Sequence, residues 1–204
     1  MTTEAAGPSP TYLTSGGGFR AVVGRAWLRA YGWTCDPVHP NVKKAVVVAA
    51  PHTTGWDLPF TLAVSYVLGL RMSWVGKHTL FRPPCGVLMR ALGGLPVDRR
   101  ARNSAVKATA KLFADANELF LIIAPEGTRG AAGRWKTGFY QIAREAEVPI
   151  VLGYLDYAKR RGGLGELFWP TGDVRADFEQ VRRFYADVKG KHPERQGAIS
   201  LDES

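Results

Sequence analysis

Short apolar runs alternate with longer amphipathic stretches from residue 45 to residue 188, and few folds accept that alternation. AVVVAA (45–50) and LFLIIA (119–124) are too short for stable helices and too uniformly apolar for strands with one wet face, so they read as strands buried on both sides. MSWVGK (72–77), LPV (95–97) and PIVLGYLDY (149–157) read as further strands. Between them DLPFTLAVSYVLGL (57–70), PCGVLMRALGG (84–94), NSAVKATAKLFADANE (103–118) and TGFYQIAREAEV (137–148) read as helices, with ADFEQVRRFYADV (176–188) as the last. Strand and helix in turn predict an α/β fold, a single domain with a largely parallel or mixed central sheet flanked by helices. In such sheets ligands gather beyond the carboxyl ends of the strands, so the loops that leave them are the ones to inspect.

A chain of 204 residues with 46% apolar content buries a substantial core as one domain, and no internal repeat or linker-like break divides it. Residues 1–18, small and rich in Pro and Gly, read as a flexible N-terminal segment, 19–190 as the domain, and the polar 191–204 as a flexible tail. The domain opens on a basic amphipathic helix at 19–33. Phe19, Val22, Val23, Ala26, Trp27 and Ala30 share one side of it, and Arg25 and Arg29 the other. Such a helix either packs on a core or lies in a membrane interface with its arginines toward anionic lipid.

Cys35 and Cys85 stand far apart, so neither a disulfide framework nor a zinc knuckle is expected, and a reducing, cytoplasmic compartment fits. No stretch reaches the ~20 apolar residues of a spanning helix, and the first residues do not read as a secretory signal. The four histidines fall in no metal-ligand spacing, so no metal is expected. The net charge of +9 is unevenly spread: 12 Lys or Arg against four Asp or Glu up to Arg102, then 15 against 14. A positive field of that kind suits an anionic partner, whether nucleic acid, membrane or phosphorylated metabolite.

Two strand-exit loops stand out. PHTTGWD (51–57) carries His52 and Asp57, which can meet only if the chain turns between them. Gly55 permits the turn, and Asp57 before Leu58 and Pro59 reads as a helix N-cap. An aspartate bonded to one ring nitrogen of His52 leaves the other free as a general base. The bland alternative is a satisfied turn histidine beside a cap. No Gly-x-Ser-x-Gly elbow or activated thiol supplies a nucleophile, so the base would act on a substrate hydroxyl or amine. The second loop, PEGTRG (125–130), places Glu126 and Arg129 at the mouth of a buried strand, and Arg suits a phosphate. Asp98, Arg99 and Arg100 follow LPV, and Lys136 adds another cation, each with a solvated surface charge as its alternative.

The ordered set H-x-x-x-x-D, GGLPVDR, PEGTR and VPIV resembles the lysophospholipid and glycerol-phosphate acyltransferase superfamily, over about residues 46–173. The resemblance implies acyl transfer from acyl-CoA or acyl carrier protein, as co-substrate with no bound cofactor, to a hydroxyl of a glycerol-phosphate-type acceptor. It implies His52 as base and Asp57 as its orienting partner. Arg99, Glu126, Gly127, Thr128 and Arg129 match the acceptor-binding motifs, with Lys136 close by, and Pro149 matches the fourth motif. Pro51 departs from the Asn that many members carry before the histidine. Because acceptors of this class live in membranes, the resemblance also favours peripheral attachment of helix 19–33 to the inner face of an anionic membrane.

Two other readings remain open: hydrolysis of an acyl thioester by water held at His52, which uses the same residues, and non-catalytic binding of anionic lipid by the basic half, which has no need of His52 and Asp57. A nucleic-acid partner is not expected, since stacking on bases needs aromatics interleaved on a basic surface and most aromatics here fall on apolar faces or in Gly-rich turns.

Overall fold

The computed structural model describes residues 12–14, 17–97, 102–130 and 134–201. In chain order these form β1 (Tyr12–Thr14), α1 (Phe19–Ala30), β2 (Thr34–Cys35), β3 (Val38–Pro40), β4 (Lys44–Ala50), α2 (Asp57–Leu68), β5 (Met72–Lys77), α3 (Gly86–Ala91), β6 (Gly94–Val97) and α4 (Arg102–Asp115). They continue with β7 (Leu119–Ile123), α5 (Gly138–Glu145), β8 (Ile150–Asp156), β9 (Arg161–Phe168) and α6 (Val174–Tyr185). A mixed seven-stranded sheet has the order β2-β9-β8-β4-β7-β5-β6, parallel from β8 through β6. β9 returns antiparallel to β8, and β2 lies beside it.

From Ala45 onward β4 is uniformly apolar, and it has helices on both sides. Val46, Val48 and Ala50 meet Phe113 of α4, Phe139 and Tyr140 of α5 and Val181 of α6. Ala45 and Val47 meet Leu28 of α1 and Phe60, Val64 and Val67 of α2 on the other face. Each fully buried aliphatic or aromatic side chain of this kind contributes about 1.5–3 kcal/mol. The arrangement also sets the site. The helix that follows β4 lies on one face and the helix that follows its neighbour β7 on the other, so the two connections diverge and leave a crevice at the strands' carboxyl ends.

α1 packs on α2, but not through the apolar stripe that its sequence offers. Its buried residues are Ala21, Gly24 and Leu28. A Cβ at Gly24 would stand 2.6 Å from the Ala63 carbonyl oxygen, so only glycine lets the two backbones approach this closely. Phe19, Val22, Val23, Ala26 and Ala30 face outward instead, Phe19 at 83% exposure, and Trp27 is half-buried against Tyr31. The two readings of this helix are therefore compatible: one narrow face packs, and the wider apolar face remains open.

Other differences have local causes. RGGLGELF forms β9 although three glycines hide its pattern. Side chains of neighbouring elements occupy the space above them: Leu155 above Gly162, Asp36 above Gly163 and Phe184 above Gly165. β1, within the segment expected to be flexible, pairs antiparallel with β3. Residues 191–201, expected to trail, run back along the domain: Trp135 N donates to the Ser200 carbonyl at 2.7 Å, and His192 N to Thr53 Oγ1 at 3.2 Å. α6 starts two residues earlier than its periodicity suggests because the Asp173 carboxylate accepts from the backbone N–H groups of Arg175 and Ala176.

Candidate active site

β4 and β7 are neighbours in parallel register, Val48 opposite Ile123, so the loops that leave them emerge side by side. β8 flanks β4 on its other edge and delivers the turn containing Tyr157. Sequence positions about 50, 126 and 157 thus converge at one end of the sheet.

His52 Nδ1 and Asp57 Oδ2 are 2.9 Å apart. Because an ionised carboxylate only accepts, Nδ1 carries the proton and Nε2 presents its lone pair. Asp57 does not act as the N-cap that its sequence suggests. It is the first residue of α2, and its carboxylate reaches back to the loop: Oδ2 also accepts from Thr53 N at 3.1 Å and Thr54 N at 3.2 Å, and Oδ1 accepts from Tyr157 Oη at 2.8 Å. Four donors and the positive end of α2 hold this buried carboxylate. The imidazole is the more open of the two, with 32% of its side chain exposed against 8% for Asp57. Gly55 does turn the chain, but without a positive φ. Its lack of a side chain serves another purpose: a Cβ there would stand 3.1 Å from Nη1 of Arg129, so glycine admits that guanidinium beside the His52 loop.

Glu126 is buried and turned toward the backbone. Its Oε1 accepts from His52 N at 2.9 Å, while Oε2 has no hydrogen-bond partner. Burial raises its pKa above the ordinary value; the backbone N–H groups and His52 oppose the shift, and Asp57 adds to it. Tyr157 is also raised, first by burial and then by the Asp57 charge, so its phenol remains a donor across the neutral range. Gly127 has φ +66°, and the Lys136 side chain lies over it, with Nζ 3.4 Å from where a Cβ would be. Thr128 Oγ1 accepts from Gly130 N at 3.3 Å, a local turn that presents Arg129.

A cleft of about 480 Å³ runs from this cluster beneath α2. Leu58, Leu62 and Ser65 of α2 form one wall, Trp74 and Ile122 part of another, and His52 stands in its lining. Ser65 Oγ donates to the Leu62 carbonyl at 2.8 Å, so the hydroxyl is engaged within its own helix. His52, Asp57, Gly127, Thr128 and Arg129 all line the cleft; Glu126 and Lys136 do not. Arg99, with Asp98 and Arg100, lies outside the described residues. Pro149 stands at the far, amino end of β8, where its carbonyl accepts from Val46 N at 3.0 Å. No group of three or more metal-ligating side chains occurs among the described residues.

Sequence reasoning missed Tyr157, the fourth donor to Asp57. It ends the run PIVLGYLDY, and nothing local marks it; only the β8-β4 adjacency brings it 2.8 Å from a residue 100 positions earlier.

A family model described as Acyltransferase matches residues 34–152, more than half of the chain. The fold is similar to the crystal structure of the 1-acyl-sn-glycerophosphate (LPA) acyltransferase PlsC from Thermotoga maritima. The TM-score is 0.55 and the sequence identity 21%, over 83% of this chain and 74% of that one. No curated protein sequence matches this chain.

Proposed function

The chain belongs to the acyltransferase family, and on that premise we propose that it moves a fatty acyl group from acyl-CoA or acyl carrier protein to a hydroxyl of a lysophospholipid or glycerol-phosphate-type acceptor. The observation that carries the proposal is the 2.9 Å contact of His52 Nδ1 with a fully hydrogen-bonded Asp57 in the wall of a long, largely apolar cleft.

Nε2 of His52 takes the proton of the acceptor hydroxyl as its oxygen attacks the thioester carbonyl. The tetrahedral intermediate collapses, the C–S bond breaks, and the thiolate takes the proton back from the imidazolium, leaving an ester and a free thiol. Asp57 stabilises the transient imidazolium and fixes the ring. No protein nucleophile is needed, which agrees with the engaged hydroxyl of Ser65. The apolar walls suit an acyl chain, and Arg129 beside Gly55 suits the acceptor's phosphate. Arg99 is assigned a similar role by its motif alone. Glu126 and Lys136 support the loop, since one bonds His52 N and the other covers Gly127.

Among the described residues no helix is long and apolar enough to cross a membrane. The outward stripe of α1, with Arg20, Arg25 and Arg29 on the same helix, supports peripheral attachment to an anionic inner membrane face.

The test is acceptor-dependent thiol release. With acyl-CoA and a lysophosphatidic acid-type acceptor, the protein should form ester and thiol in equal amounts, and His52→Ala should abolish both while the fold persists. Equal thiol release without acceptor would point to thioester hydrolysis, and no release with any donor would remove the enzyme reading.

A further inference from the structure

The segment 78–91 turns one aromatic inward and its aliphatics outward. Phe81 is buried, 5.9 Å from the Trp74 ring, with the Arg90 guanidinium 5.3 Å over its face. The turn is tight, since a Cβ at Gly86 would overlap the Phe81 carbonyl, and Trp74 Nε1 ties its far end by donating to the Leu92 carbonyl at 3.0 Å. On this fixed base Val87 is 80% exposed, Leu88 56% and Leu80 48%. Arg82, Pro83, Pro84, Cys85 and Arg90 are exposed beside them. Residues 58–97 contain no Asp or Glu. Leu80 belongs to both surfaces: it is exposed and it lines the cleft, as does Met89 of α3.

We propose that this cleft-rim segment, Leu80 with α3, is a second membrane-docking surface, separate from α1, which seats in the interface of an anionic bilayer beside the cleft opening. Exposed aliphatics on a rigid turn are costly in water and favourable at the acyl–headgroup boundary, and guanidiniums next to them meet lipid phosphates. With no carboxylate over 40 consecutive residues, the segment itself carries no side chain that would repel an anionic membrane. Because Leu80 continues into the cleft wall, a lipid's acyl chain can pass from the bilayer to the cleft along apolar surface. This inference rests on the lipid-acceptor reading above, but docking is measurable without turnover.

The experiment uses the full chain and vesicles of phosphatidylglycerol, with phosphatidylcholine vesicles as the neutral control. Cys85 is an exposed free thiol on the segment itself, whereas the Cys35 thiol is pushed up to about 12 by burial and by Asp36. A polarity-sensitive maleimide attached at Cys85 should therefore report locally, with blue-shifted emission on phosphatidylglycerol vesicles. In sedimentation, Val87→Glu/Leu88→Glu should weaken vesicle binding at least tenfold, and Arg82→Gln roughly fivefold, as expected for one cation at an anionic surface. Turnover of vesicle-embedded acceptor should fall in step, while turnover of a short-chain, monodisperse acceptor stays unchanged. Unchanged vesicle binding with no emission shift overturns the proposal, as does a loss confined to reactions with acyl carrier protein as donor, which would mark a protein-docking surface. If the unaltered protein turns over neither acceptor, the acyltransferase reading fails, and sedimentation and emission still decide docking.

Discussion

Tyr157 donates its phenolic proton to Asp57 Oδ1 at 2.8 Å, while the other oxygen of the same carboxylate holds Nδ1 of His52. The ring of Tyr157 is fixed edge-on to Trp33 at 4.8 Å, which packs under α1 and against Phe60 of α2. The orientation of the histidine therefore depends on a hairpin turn and an aromatic cluster, beyond the five-residue motif that contains it.

Replacing Tyr157 by Phe keeps the ring packing and leaves Asp57 Oδ1 short of a donor. Loss of a hydrogen bond to a buried charge should destabilise the fold by about 1.5–3 kcal/mol in urea titration. If about 1.4 kcal/mol of that reaches the transition state, kcat falls roughly tenfold. KM for acceptor should stay within about twofold, because Tyr157 does not line the cleft. A KM effect with kcat intact would contradict a positioning role.

Asp57→Asn keeps an oxygen for the Thr53 and Thr54 amides but removes the charge that stabilises the His52 imidazolium. The expected outcome in steady-state kinetics is a fall in kcat of roughly 10²–10⁴-fold with the fold retained. His52→Ala and the double variant should fall to about the same level, since the pair acts as a unit. Additive losses would mean the two residues act separately.

The core strands were legible because β4 and β7, buried on both faces, leave uninterrupted apolar runs. The His52–Asp57 meeting was legible because the turn lies within six residues. What the sequence concealed depended on distant packing. β9 is a strand because neighbouring side chains fill the space over its glycines, and α1 packs through Gly24 because α2 comes close, so the apparent core stripe is its outer face. Glu126 sits in the motif as expected, yet one loop over it meets a backbone N–H, a partner that no residue pattern encodes.

Gly55→Ala tests the link between the two loops. The new methyl would stand 3.1 Å from Arg129 Nη1 and push that flexible guanidinium aside without altering His52. KM for a phosphate-bearing acceptor should rise roughly 3–10-fold, about 0.7–1.4 kcal/mol, with kcat nearly unchanged. Combined with Arg129→Ala the effects should not add, because both remove one interaction. Full additivity would show that Gly55 acts elsewhere.

For α1, Arg25→Glu with Arg29→Glu should lower affinity for phosphatidylglycerol vesicles by at least about 30-fold, from roughly 1 kcal/mol per cation at the surface. Far-ultraviolet circular dichroism should be unchanged, since the packing face is Ala21, Gly24 and Leu28. Gly24→Leu is the contrasting variant: its side chain meets the Ala63 carbonyl and Val67, so helix docking on α2, rather than charge, should be lost. Equal vesicle binding by the charge-reversed protein would reduce α1 to a packing element.

Glu126 makes stability depend on pH in a direction that its burial fixes. Its folded pKa is raised above the ordinary 4.5, chiefly by desolvation. Between 4.5 and that raised value the unfolded chain has released the proton while the folded chain retains it. Stability is therefore full below 4.5 and falls as pH rises through the window. Glu126→Gln keeps a carbonyl oxygen for His52 N and cannot titrate. The difference in melting temperature, variant minus unaltered protein, should be more positive at pH 7.5 than at pH 4, with all other titrations cancelling between the two. Glu126→Ala instead strands the His52 N–H, which should cost about 1–3 kcal/mol and lower kcat by displacing the loop. A pH-independent difference for Glu126→Gln would mean that the carboxyl is no harder to ionise in the folded protein than in the unfolded chain.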